Sequence, residues 1–306
     1  MAVGATTVPR QPSGPAVYHE GHRMTGQGVI LVTGATGNVG RHVVSQLRDM
    51  GASVRALVRR PDAAHLLDGV EVVRGDLTDA DSLDRALNGV TSVFLLWPFP
   101  TAEAAPAAVD VIAKHARRVV YFSAMAVRDD REPKDDGVWG QLEHLIDRSG
   151  PEWAFLRVGG LAANTLGWAD QIRTEGVVRW PYGEAARSLI HERDIAAVAV
   201  RALTEDGHVG AKYVLTGPEA LTQAEQVRLI GEAIGRPVRW QELEPEQARQ
   251  QLLAAWGDAD FVDAALGYWS TLVDEPEPVT HTVQQVTGTS AHTFREWASD
   301  HVDDFR

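Results

Sequence analysis

Cysteine does not occur in the 306 residues. Its absence excludes disulfides, thiolate zinc sites, iron–sulfur clusters and a cysteine nucleophile, and it fits a reducing cytosol. Lysine is scarce, confined to Lys114, Lys134 and Lys212. No run of Lys or Arg is long enough to track phosphates, and a net charge of −13 argues against nucleic-acid partners. No apolar run approaches the roughly 18 to 20 residues that span a bilayer, so the chain reads as cytoplasmic rather than integral to a membrane. The histidines lack metal-ligand spacing, and neither Gly-x-Ser-x-Gly nor His-Glu-x-x-His occurs, so hydrolase and metalloenzyme readings get no support.

At 44% hydrophobic and 23% charged residues the composition is that of a globular protein and excludes collagen-like, coiled-coil and disordered classes. Residues 1–27, with Pro9, Pro12 and Pro15 and no continuous apolar stretch, read as a flexible N-terminal extension without a signal peptide. Its His19-Glu20-Gly21-His22 segment has helical spacing but a glycine between the imidazoles, and carries no metal site.

From Gly28 short apolar runs alternate with helical stretches, the pattern of βαβ units and a parallel sheet. Strands are expected at 29–32, 53–58, 70–73, 92–96, 119–122 and 153–156, with helices at about 38–50, 79–87, 102–115 and 139–148 between them. The expected fold is α/β: a doubly wound parallel Rossmann sheet over residues 28–157, with strands near 188–191 and 212–216 returning to it. Residues 158–187 and 217–306 would form a smaller, discontinuous α+β substrate lobe. A helix from Thr222 to Gly235 is predicted there, since Thr222 and Glu225 have capping-box spacing.

The most informative segment is Thr33-Gly34-Ala35-Thr36-Gly37-Asn38-Val39-Gly40-Arg41. Gly34 permits a tight turn off the strand, Gly37 lets backbone approach a pyrophosphate, and Gly40 lets the helix pack close to the sheet, with free helix N–H groups facing the anion. A dinucleotide is the expected ligand. Walker A chemistry is excluded because Gly40-Arg41-His42 stands where Gly-Lys-Ser/Thr would be needed. At the end of the second strand, where an acidic residue would select NAD, the chain has Arg59-Arg60. A guanidinium suits a 2′-phosphate, so NADPH is the expected cofactor, with Arg59 and Arg41 as clamps.

The glycine loop, together with Leu156-Arg157-x-Gly-x followed by Asn164, Asp194-Ile195-Ala196, Tyr213-x-Leu-Thr-Gly217-Pro218 and the closing Thr293-Phe294-x-Glu-Trp297, resembles the NmrA-like group of atypical short-chain dehydrogenases over about residues 28–300. The resemblance implies an NAD(P)-binding Rossmann domain that reduces quinones and other conjugated or carbonyl compounds, or regulators that bind NADP without turnover. It implies adenine contacts from Asp76 and Leu77, a ribose lined by Leu95, Leu96 and Trp97, and a nicotinamide flanked by Ser123 and Ala124. The family's Tyr and Lys, the Lys lowering the phenol's pKa, fall here on Asp135 and Trp139, neither of which can do that work. Ser123 is the candidate donor to a substrate oxygen, or else only shapes the nicotinamide site, and Lys134 is the candidate substitute acid.

Trp97, Trp168, Trp180, Trp256 and Trp269 fall at strand ends or in the lobe, where two or three of them, Trp97 first, would line a flat apolar pocket; Trp97, Asn164 and Trp168 are the substrate-facing candidates. The expected function is NADPH-dependent reduction of a quinone or aromatic ketone by a monomer or homodimer, the proton coming from water or from the substrate itself. A redox sensor, or an isomerase or cyclase on the same fold, is the alternative.

Overall fold

The computed structural model describes residues 28–63 and 68–306. The expected N-terminal extension and its His19/His22 pair lie outside the described residues.

Among the described residues eleven strands are formed: β1 Val29–Val32, β2 Val54–Val58, β3 Glu71–Arg74, β4 Val90–Leu95, β5 Arg118–Ala124, β6 Glu152–Val158, β7 Val177–Trp180, β8 Ala186–Arg187, β9 Ala211–Leu215, β10 Leu221–Thr222 and β11 Arg239–Glu242. The helices are α1 Gly40–Asp49, α2 Ala80–Ala86, α3 Ala105–His115, α4 Gly137–Asp147, α5 Ala169–Glu175, α6 Glu192–Thr204, α7 Gln223–Ile234, α8 Pro245–Trp256, α9 Ala259–Thr271, α10 Thr282–Thr287 and α11 Phe294–Asp300. Seven strands make one parallel sheet in the order β3-β2-β1-β4-β5-β6-β9. The order reverses between β1 and β4, and the crevice beyond the C-terminal strand ends at such a point is where doubly wound sheets take ligands.

The pleat divides the core. Ile30 and Val32 face α1, α6 and α10, whereas Val29 and Leu31 face α2, α3 and α4. Helix α1 packs Val43, Val44 and Leu47 on its inner face, with spacing that repeats each turn. Helix α3 begins three residues later than its pattern suggests because Pro106 lies in its first turn, where the missing N–H costs no hydrogen bond.

Two further buried clusters lie in the residues outside the sheet. One joins α5, β7, α7 and α11 around Trp168, Ile172, Ile230 and Trp297, and the other joins α8 and α9 around Leu252, Val262 and Trp269. Helix α7 carries the expected capping box: Thr222 Oγ1 accepts from the Glu225 N–H at 3.1 Å, and Glu225 Oε2 accepts from the Thr222 N–H at 2.9 Å. Gly235 ends it in the left-handed conformation at φ +75°.

One expected strand is not formed. Ser188–Ile190 touches the sheet layer only through an isolated bridge from Leu161 to Ile190. Its backbone groups are taken by other partners: Ser188 N–H donates to Glu277, Ile190 N–H to the Gly160 carbonyl, and the Ser188 carbonyl accepts from Gly217. Only the second returning segment, Ala211–Leu215, joins the sheet, beside β6.

Candidate active site

The end of β1 is locked across the crevice. Thr33 Oγ1 donates to the Leu96 carbonyl at 3.1 Å and accepts from the Leu96 N–H at 2.7 Å, which fixes the exits of β1 and β4 to each other. Gly34 then takes φ +60°, and the chain turns into α1. A Cβ on Gly40 would stand 2.1 Å from the Gly34 carbonyl oxygen, so the helix starts in contact with the turn that precedes it. The N–H groups of Asn38 and Val39 donate to no described acceptor, and α1 has no side-chain cap. Donors left without a partner at a helix start suit an anion.

Thr33, Gly34, Thr36, Leu57, Arg59, Arg60, Asp76, Leu77, Leu96 and Phe99 are among the residues around a cavity of about 260 Å³ beside this turn. Arg59 and Arg60 are exposed and form no hydrogen bond or salt bridge with a described residue. The Thr78 N–H and hydroxyl, with the charge of Arg59, hold the Asp76 carboxyl below its ordinary range against the opposing effect of burial. Gly37, Asn38, Val39 and Gly40 shape the turn itself. Arg41 is turned away, with Nη2 3.8 Å from the buried carboxylate of Glu192. A glycine turn that a Cβ would block, free N–H donors and two uncommitted guanidinium groups fit a dinucleotide with an extra phosphate.

A larger cavity, of about 780 Å³, lies in the lobe. Trp139, Trp168, Trp180, Trp256 and Trp269 contribute to its wall with Asn164, Arg187 and Tyr268. The rings touch in series, Trp168 to Trp180 at 6.3 Å between centroids, Trp180 to Trp269 at 5.6 Å and Trp269 to Trp256 at 6.2 Å. Asn164 and Trp168 both lie in this wall. Trp139 comes from the first turn of α4, so the residue at the family's Lys position faces this cavity. Asp135, at the Tyr position, is exposed in the turn before α4.

Three expectations are corrected by these positions. Trp97 lines neither cavity: its ring is packed between β4 and α3 and against Phe99, with the indole N–H donated to the Thr101 carbonyl at 2.9 Å. Ser123 is fully buried and donates its one proton to Glu143 Oε1 at 2.6 Å, which removes it as a donor to substrate. Lys134 is exposed in the turn Pro133–Asp136 and lies in neither wall, so it is not placed as an acid. Ala124 is half-buried at the end of β5.

The motif residues around α6 are structural. His191 caps the helix, Nδ1 accepting from the Arg193 N–H. Asp194 accepts from the His292 N–H at 2.7 Å and contacts its ring at 2.6 Å, tying α6 to the start of α11. Burial pushes the neighbouring His42 down to about 4, so it is neutral beside the glycine turn. Sequence reasoning passed over Arg187, Tyr268 and the buried Glu277 that joins them. The one signal for Arg187 was a lone charge inside the apolar run Ala185-Ala186-Arg187-Ser188-Leu189-Ile190.

A family model described as NAD(P)H-binding matches residues 34–206. The chain belongs to this NAD(P)H-binding family. Within it, the expected place among the NmrA-like atypical short-chain dehydrogenases holds. A reductase of (4-alkanoyl-5-oxo-2,5-dihydrofuran-3-yl)methyl phosphate from Streptomyces griseus is 40% identical, covering 90% of this chain and 99% of its own. An NAD(P)H azoreductase from Xenophilus azovorans is 37% identical, with 90% and 99% covered. The crystal structure of an NADPH-dependent quinone oxidoreductase from Escherichia coli superposes with a TM-score of 0.71 at 25% identity, covering 89% of this chain and 98% of that one. In this NAD(P)H-binding protein the matched region holds the glycine turn and the small cavity, while the aromatic walls of the large cavity come mostly from beyond residue 206 and from the segment after β6.

Proposed function

We propose that the protein is an NADPH-dependent reductase of quinones and related conjugated aromatic compounds. The observation that carries this is the pairing of a dinucleotide-shaped glycine turn with a tryptophan-walled cavity. The relatives support it, since their names record reduction of an azo group, a quinone and an unsaturated furanone phosphate.

When bound, the reduced nicotinamide supplies a hydride, the hard step in such a reaction. The chain's own residues bind and orient. The N–H groups at the start of α1 take the pyrophosphate, Arg59 with Arg60 the 2′-phosphate, and Asp76 with Leu77 the adenine. Trp139, Trp168 and Trp180 offer flat apolar faces to the acceptor and displace water from it. A quinone given that hydride would need only one proton to become its hydroquinone, and water could supply it. General acid catalysis contributes roughly 10² to 10⁴-fold, so an acceptor as reactive as a quinone tolerates the loss of the Tyr/Lys pair.

The direct test is NADPH oxidation by the purified protein with menadione and a panel of azo dyes and hydroxylated aromatic ketones, followed at the near-ultraviolet band of the reduced nicotinamide. Turnover is expected with at least one acceptor; tight NADPH binding without turnover on the whole panel replaces the reductase with a sensor. Within that assay Arg59→Asp is expected to raise KM for NADPH roughly tenfold to a hundredfold, the size of a charge-assisted contact, and KM for NADH far less. Equal changes for the two cofactors would remove Arg59 from the phosphate site.

A further inference from the structure

Among the described residues, Arg187 is the one charged side chain in the wall of the lobe cavity. It lies on β8 between buried Ala186 and Ser188, and its side chain is only 14% exposed. Its nearest partner, Glu277, is held mainly by others. Glu277 Oε2 accepts from the Ser188 N–H at 2.9 Å and Oε1 from the Tyr268 hydroxyl at 2.6 Å, while Arg187 Nε stands at 3.4 Å. The terminal nitrogens Nη1 and Nη2 donate to no described acceptor and are not fully buried, and the residue lines the cavity.

The backbone is shaped around this guanidinium. A Cβ on Gly160 would stand 2.4 Å from Arg187 Nη2 and 2.5 Å from Leu189 Cδ2. Gly160 lies two residues beyond the end of β6, so the fork lies near the C-terminal edge of the sheet, where ligands of this architecture approach. A planar fork with its stem packed, its Nε steadied by a carboxylate and two ends free is pre-organised for a bidentate oxyanion. Tyr268 donates its hydroxyl proton to Glu277, with burial and that carboxylate raising its pKa, and so braces the carboxylate that steadies Arg187.

Resting on the reductase reading, we propose that Arg187 binds an oxyanion carried by the acceptor, a carboxylate or phosphate monoester, and that Glu277 positions it. The preferred substrates are then acidic conjugated compounds, oriented in the tryptophan cavity by this charge, rather than neutral quinones. A purely structural role, tying β8 to the segment before α10, would affect stability without any dependence on substrate charge.

The experiment compares menadione with a naphthoquinone sulfonate as acceptors for the full-length protein with NADPH, in wild type, Arg187→Gln and Arg187→Lys. The ratio of kcat/KM for the anionic over the neutral acceptor is expected to fall roughly tenfold to a hundredfold in Arg187→Gln, chiefly through KM, and to recover in part in Arg187→Lys. An unchanged ratio overturns the proposal. If neither acceptor turns over, binding is read instead by quenching of tryptophan fluorescence; the reductase reading itself fails only if the whole acceptor panel is inert. Wild-type protein loaded with NADPH should then bind naphthalene sulfonate at least tenfold more tightly than uncharged naphthalene carboxamide, and equal affinities in the wild type overturn the oxyanion site without recourse to any variant.

Discussion

Gly40→Ala is expected to weaken NADPH binding on the order of a hundredfold. The new Cβ would lie 2.1 Å from the Gly34 oxygen, 2.6 Å from its carbonyl carbon and 3.0 Å from Ala35 Cα. All three are backbone atoms, so no rotamer change relieves the clash, and α1 has to move away from the turn. It is not free to do so, because Val43, Val44 and Leu47 are buried against the core on its inner face. Overpacking of this kind costs about 1–3 kcal/mol, occasionally more, and here the strain falls on the donors that face the pyrophosphate. Titration of NADPH by its own fluorescence, with the unfolding midpoint measured alongside, checks the prediction. Gly37→Ala is the graded comparison, since its Cβ would meet the same oxygen at the less severe distance of 3.2 Å. Affinity within threefold of wild type in Gly40→Ala would mean that this turn does not cradle the cofactor.

The parts of this site that were legible in the sequence are those encoded over short spans. Glycine spacing after an apolar run gave the turn, and Thr222 with Glu225 and Gly235 gave both ends of α7, because caps and turns are decided by neighbours within a few residues. The pleat was legible too, though its use was incomplete. Val93, Leu95 and Trp97 share one parity and one cluster, whereas Leu96, of the other parity, faces the cofactor cavity. Counting in twos therefore removes Trp97 from the cleft. The same count puts Ser123 with Tyr121 on the face toward α4, away from the glycine turn.

The polar and α4-derived parts of the lobe cavity were illegible for a different reason. Trp139, Arg187 and Tyr268 belong to three segments that no local pattern brings together. Ser188–Ile190 has the composition of a buried strand, but its hydrogen bonds are claimed by a carboxylate and two loops distant in sequence. Pattern reading fails where a long-range polar group outcompetes the ladder.

The second large effect concerns the buried network behind β5. Arg157→Ala is expected to destabilise the protein by about 3–5 kcal/mol, the usual result of stranding a buried charge. Glu143 and Arg157 are both nearly inaccessible, and the guanidinium meets the carboxylate through two bonds, Nε to Oε1 at 3.0 Å and Nη2 to Oε2 at 2.7 Å. Nη2 also reaches Asp129, which Lys212 shares at 2.6 Å. Without Arg157, Glu143 keeps only the Ser123 hydroxyl, and a fall in the unfolding midpoint on the order of ten degrees follows for a domain of this size. Ser123→Ala separates the structural role from the catalytic one. It removes a single donor while both Arg157 bonds persist, so a loss of about 1.5–3 kcal/mol is expected, with NADPH oxidation retained within about twofold. A tenfold fall in kcat at unchanged stability would return Ser123 to the chemistry. The double variant Glu143→Leu with Arg157→Met is expected to be more stable than Arg157→Ala alone, because it leaves no carboxylate to be desolvated without a partner; calorimetry of the three variants side by side decides whether the cost lies in the lost ion pair or in the charge left behind.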